Sequence, residues 1–117
     1  MAWSPLGAGF LTGTVGSLGP NDFRQNNPRF AGPNLALNAQ RFAPLIRLAG
    51  EFGVTPAQLA LAWLLHQGDD VFPIPGTRSA ARVDENARAS AIRLTAEQLK
   101  RIDQAARPGL AEGATLV

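Results

Sequence analysis

Residues 73–86 read Pro73-Ile74-Pro75-Gly76-Thr77-Arg78-Ser79-Ala80-Ala81-Arg82-Val83-Asp84-Glu85-Asn86. Together with Val71-Phe72 the stretch begins as a short apolar run of strand type, punctuated by a proline that cannot donate to a neighbouring strand. It turns at Gly76 and passes into a helix that Ser79 can cap and that runs to about Ala89. Strand, glycine turn and helix in that order make one unit of a parallel β/α fold. The first turn of the helix is also an anion site by construction. Its unpaired amides and the positive end of its dipole favour phosphate, Thr77 and Ser79 can donate, and Arg78 and Arg82, four apart, lie on one side. Glu85 and Asn86 follow one turn later as an acceptor and an amide suited to the edge of an adenine. On composition alone the plainer description, a capped surface helix with solvated arginines, is preferred.

Upstream, Val54-Thr55-Pro56-Ala57-Gln58-Leu59 stacks several helix-start signals: Thr55 as N-cap, Pro56 at the first helical position, Gln58 to complete a capping box, and Val54 with Leu59 as a staple. The helix it opens, to about His66, is apolar nearly all round and needs neighbours on several sides. Before it, Leu35, Phe42, Leu45, Ile46, Ala49 and Phe52 approximate one helical face, with Pro44 expected to kink or divide the helix and Gly53 to end it. Gly68-Asp69-Asp70 reads as a turn. Downstream, Leu94-Thr95-Ala96-Glu97-Gln98-Leu99 opens a last helix with the same cap and staple. It ends before Pro108-Gly109, and the tail over 110–117 is expected to be flexible.

The first thirty-odd residues are turn and loop, with only Ala2-Trp3 able to be strand, and a loop of that length in a small domain is either functional or disordered. The sum is about four helices, one convincing strand and one strand fragment, each strand followed by loop and helix. A parallel sheet needs several strands and cover on both faces, so the expectation is the end of a larger barrel rather than a self-sufficient domain.

Composition narrows the chemistry. The 117 residues are 45% hydrophobic and 17% charged, with a net charge of +2, no Cys and one His. Disulfide scaffolds, Cys-type zinc sites and thiol nucleophiles are excluded, and a His-based metal site or serine triad is disfavoured, so no metal is expected. Ten of the 11 basic residues are Arg, strung along the chain among nine acids rather than gathered in a stripe, which argues against nucleic-acid binding. No apolar run approaches the roughly 18 residues that span a bilayer, and Met1-Ala2-Trp3-Ser4-Pro5 lacks the features of a secretory signal, so the default expectation is a cytoplasmic protein without membrane partners. His66 reads as a helix-end residue near the C-terminal dipole and Trp63 as core.

Four motifs, in order, carry a resemblance: Ser4-Pro5-Leu6-Gly7, Gly9-Phe10-Leu11-Thr12-Gly13, Thr55-Pro56-Ala57-Gln58-Leu59-Ala60-Leu61-Ala62-Trp63, and Pro73-Ile74-Pro75-Gly76-Thr77 with Glu85-Asn86. Up to about Asp103 the chain resembles the C-terminal part of the aldo-keto reductases, and the resemblance turns the reading of residues 76–82 towards the anion site. It implies an α/β fold, a TIM (β/α)8 barrel that reduces aldehydes and ketones with NADPH. This mostly helical chain would be its last two β/α units, an incomplete barrel, with residues 1–117 one partial domain. Carried over by position, Trp3 stacks on the nicotinamide, and Ser4 and Leu6 with Gly7 lie along the pyrophosphate. Gly76, Thr77, Arg78, Ser79 and Arg82 surround the 2′-phosphate, and Glu85 and Asn86 meet the adenine. Barrel phosphate sites form from the loops after the last two strands, which agrees.

Two departures stand out. Many members of the family have Arg where Ala8 stands, so a phosphate contact is missing. The family's catalytic Asp, Tyr, Lys and His lie on earlier strands, and here there is no Tyr, while the one Lys, Lys100, is on the last helix. The expected function is therefore the NADP(H)-binding segment of a reductase, inactive alone, from a truncated or split gene in which Met1 is an internal strand residue. Its partners would be NADPH and a carbonyl substrate in a complete barrel, with an N-terminal half-barrel chain. The alternative is a nucleotide-binding partner or regulatory fragment without catalysis. Phe23 and Phe30, in the loop from Leu18 to Asn34, either line a substrate pocket or pin the loop to the body.

Overall fold

Thr55 and Thr95 each close a capping box. The Thr55 hydroxyl accepts from the Gln58 N–H at 3.2 Å while Gln58 Oε1 accepts from the Thr55 N–H at 3.1 Å, and Thr95 and Gln98 repeat the exchange at 3.1 and 2.9 Å. These caps set the starts of two helices in the computed structural model, which describes residues 1–114. The helices are α1 (Asn34–Glu51), α2 (Pro56–Leu65), α3 (Ala80–Arg88) and α4 (Ala96–Ala105), with short 3-10 turns at Phe10–Thr12, Phe23–Asn26 and Ala89–Ala91. α1 stops where Gly53 adopts φ 70° and the Val54 N–H returns to the Ala49 carbonyl at 3.0 Å, a left-handed closure that glycine makes without strain.

Pro44 does not divide α1, which runs through it as one helix. The carbonyl that Pro44 leaves without an intrahelical donor belongs to exposed Gln40, where solvent has access, and the next turn is held by buried Leu45, Leu48 and Ala49. α1 and α2 meet at 87°. Leu45, Leu48 and Ala49 of α1, Leu59 and Ala62 of α2, and Leu94 and Ile102 around α4 form one core, with Phe42, Phe52 and Trp63 packed on its margin. Trp63 is only half buried, because its indole N–H reaches out to Asp103 Oδ1 at 2.8 Å. Among the described residues no single helix is long and apolar enough to cross a membrane, although α1 and α2 would pass by length and composition as a bent pair.

The strands are β1 (Ala2–Trp3) and β2 (Pro73–Ile74), paired in parallel with Ala2 opposite Pro73 and Trp3 opposite Ile74. β2 is shorter than the apolar run that suggests it, and Val71 and Phe72 precede the pairing, with the Phe72 carbonyl accepting from the Ala2 N–H at 2.9 Å. The long first loop is folded: Phe10 packs edge-on against both Phe30 and Phe42, with ring centroids 5.9 and 5.2 Å apart. Phe30 is buried and pins this loop, whereas Phe23 is exposed.

At the other end, residues 110–113 of the tail expected to be flexible lie against α1. Fully buried Asn38 donates to the Arg29 carbonyl at 3.0 Å and to the Glu112 carbonyl at 2.9 Å, and accepts from the Glu112 N–H at 2.7 Å. Arg41 donates to the Leu110 carbonyl and Arg29 to the Gly113 carbonyl. A Cβ on Gly113 would stand 2.7 Å from the Pro28 backbone, so only glycine fits this approach. Residues 115–117 lie outside the described residues.

Candidate functional site

Because β1 and β2 are parallel neighbours, the loops that follow them leave from the same edge. The β1 loop is wound tightly: Ser4, Gly7, Ala8 and Gly9 all have positive φ, at 51°, 56°, 56° and 90°. Ser4 and Ala8 are not glycines, and each costs about 1–2 kcal/mol in this region. Hydrogen bonds from the Gly7 N–H to the Ser4 carbonyl (2.9 Å) and from the Gly9 and Leu11 N–H groups to the Leu6 carbonyl (3.1 and 3.2 Å) close the turns. Trp3 ends β1 62% exposed, beside Ile74 of β2.

The β2 loop is held by its own hydroxyls. Ser79 Oγ accepts from the Arg82 N–H at 3.4 Å and Thr77 Oγ1 from the Ser79 N–H at 3.1 Å. Each hydroxyl accepts from backbone and so keeps its own proton to donate outward. Arg78 and Arg82 are exposed at the start of α3, and among the described residues neither has an ion-pair partner. Gly76 has open space where a Cβ would stand. Thr77, Arg78, Ser79 and Arg82 thus gather around one helix N-terminus. Glu85, expected to meet an adenine, is engaged within the fold: its Oε1 accepts from the Thr55 hydroxyl at 2.6 Å and its carbonyl from Gln58 Nε2 at 2.9 Å, so it ties α3 to the cap of α2. Asn86 lies next to it, half buried.

His66 stands apart from this edge. Its Nε2 accepts from the Leu94 N–H at 3.1 Å, which leaves Nδ1 to carry the proton and donate to the Ala62 carbonyl at 2.7 Å. His66 is the C-cap residue of α2, and its ring ties the end of that helix to the start of the last helical unit. A further pair that sequence reasoning passes over is Asp22 with Arg24, in the loop after β1. Arg24 Nε lies 2.9 Å from Asp22 Oδ1 and Nη2 2.6 Å from Oδ2. The Arg24 side chain, then its backbone N–H, hold the Asp22 carboxyl down from 3.8 to about 2, and the same bond pushes Arg24 up.

Two adjacent parallel strands each open into a loop at the same edge, and the second loop leads to a helix N-terminus surrounded by arginines and hydroxyls, the local arrangement of a β/α unit. Residues 1–107 match the model of the aldo/keto reductase family, and the chain belongs to that family. It is similar to the NADP(+) aldo-keto reductase yakc of Schizosaccharomyces pombe, 39% identical over 108 residues, which cover 90% of this chain and 32% of that protein. The chain thus spans about a third of the length of this relative.

Proposed function

We propose that this chain is the NADP(H)-binding C-terminal part of a (β/α)8-barrel reductase that converts aldehydes or ketones to alcohols, supplying the cofactor site and not the proton donor. The observation that carries the reading is the shared edge. The Ser4–Gly7 and Gly76–Ser79 loops open side by side from two parallel strands, with Arg78 and Arg82, which have no ion-pair partner among the described residues, at the head of α3. The yeast relative's name carries NADP(+), and the donor set here suits a nucleotide with an extra phosphate. Arg78 and Arg82 with the Ser79 and Thr77 hydroxyls take the 2′-phosphate, Ser4 and Leu6 with Gly7 run along the pyrophosphate, and exposed Trp3 offers a flat face to the nicotinamide. Glu85 spends one carboxylate oxygen on Thr55 and keeps the other, with Asn86, for the adenine.

When bound, NADPH supplies a hydride to the carbonyl carbon, and the oxygen must then gain a proton. No side chain of these 117 residues is suited to give it. The sequence has no Tyr, Lys100 is exposed on α4, and both ring nitrogens of His66 are engaged. Polypeptide beyond these residues therefore completes the barrel. The open edges of β1 and β2, with Met1, Trp3, Phe72 and Ile74 exposed, suit neighbouring strands.

The test is Arg82→Ala in a barrel completed by fusing the chain to the N-terminal two thirds of the yeast relative. One charge-assisted hydrogen bond is worth about 1.5–3 kcal/mol, so NADPH should bind roughly 10- to 100-fold more weakly while NADH is hardly changed. Equal loss of both would mean that Arg82 holds the helix and not the phosphate.

A further inference from the structure

The β1 loop holds two non-glycine residues in the left-handed region, and one side chain from far along the chain reaches it. Arg24 Nη1 donates to the Ala8 carbonyl at 3.1 Å. The rest of the guanidinium is committed elsewhere: Nε and Nη2 grip the Asp22 carboxylate, and the group lies over the ring of buried Phe30, 5.7 Å from its centroid. Phe30 in turn packs on Phe10, at the end of the same β1 loop. Asp22 is itself anchored, because its Oδ1 accepts from the Arg24 N–H at 3.0 Å and caps the 3-10 turn that begins at Phe23. At Gly9, φ is 90° and a Cβ would stand 3.4 Å from Arg24 Nη1 and 3.6 Å from Val15, so the guanidinium lies against the loop backbone.

We propose that Asp22 and Arg24 are a positioning pair that holds the Ser4–Gly9 loop in its left-handed conformation and thereby sets the backbone along which the nucleotide lies. The inference rests on the nucleotide reading given above. Arg24 comes near the place left by Ala8, but Asp22 neutralises it, so the pair contributes order and no net charge. A planar fork is required: one edge meets the carboxylate while a further N–H reaches the Ala8 carbonyl, and a lysine ammonium has neither the plane nor the reach to do both. The depressed Asp22 carboxyl and raised Arg24 accord with a persistent bond.

Amide hydrogen exchange on this chain within the fused, completed barrel decides this. Arg24→Gln and Arg24→Lys should each speed exchange across residues 4–11 by about tenfold, the loss expected for one charge-assisted hydrogen bond, with α2 unchanged. Arg101→Gln, which breaks the Arg101–Glu51 pair at the C-terminal end of α1, should leave residues 4–11 as they are. The proposal is overturned if residues 4–11 do not respond, if α2 accelerates equally, if Lys restores the wild-type rate, or if those residues in the wild-type chain already exchange like a free peptide. In the fused barrel, Arg24→Gln should raise KM for NADPH about tenfold with kcat little changed, and a fall in kcat alone would count against positioning. If the wild-type fusion retains no NADPH, the nucleotide reading fails, while exchange still decides what the pair does to the loop.

Discussion

Asn38→Ala tests how the C-terminal segment is held. The side chain is wholly buried and makes three hydrogen bonds, two to Glu112 and one to the Arg29 carbonyl. Each contributes about 0.5–1.5 kcal/mol net, so their sum is roughly 1.5–4.5 kcal/mol. Part is recovered, since Glu112 is exposed and its backbone regains water and freedom once the tail lifts. The Arg29 carbonyl stays inside and does not. The expected loss is about 1–3 kcal/mol in urea denaturation followed by helical circular dichroism, with proteolysis appearing within residues 108–114 before the helices unfold. Asn38→Asp should be worse than Asn38→Ala, because a carboxylate would face the two carbonyl oxygens that the amide now donates to. An Ala variant of unchanged stability with a protected tail, or an Asp variant more stable than Ala, would refute the reasoning.

Two further outcomes follow from the polar contacts. His66→Ala leaves the buried Leu94 N–H without its acceptor and should cost about 1–3 kcal/mol, and a change below about 0.5 kcal/mol in the same denaturation would show that Leu94 finds another partner. Asp22 has its folded carboxyl depressed from 3.8 to about 2, so its pairing stabilises the fold fully above pH 3.8 and is lost as pH falls through 2. Carbon NMR of the Asp22 carboxyl should show that low midpoint, and titration at 3.8 or above would contradict the pairing.

What was legible in the sequence is what short-range chemistry encodes. The caps at Thr55, Ser79 and Thr95 and the stop at Gly53 each rest on groups within five residues, and the helices begin where these residues say. The β1 and β2 motifs mark the loops that the structure brings to one edge. Of the two outcomes expected of Pro44, a kink or a division, division does not occur, because the buried side chains of the next turn hold α1 as one helix. Phe23 and Phe30 could not be told apart by pattern, and only the packing of Phe10 makes one a pin and leaves the other exposed. The least legible features join distant residues: Arg24 to Ala8, Thr55 to Glu85, Asn38 to Glu112, and His66 to Leu94. No local periodicity marks such pairs, because what makes them is the folded path between their ends. Glu85 shows the consequence, since the residue matched to an adenine contact also fastens α3 to α2.

The central claim is that this chain completes a barrel and brings the cofactor site with it. Its most direct test assays the chain and the N-terminal two thirds of the yeast relative for NADPH-dependent aldehyde reduction, separately and then fused. The account predicts no reduction by either part and NADPH-dependent reduction by the fusion. Reduction by the 117-residue chain alone, or a folded fusion that neither retains NADPH nor reduces an aldehyde, would contradict it.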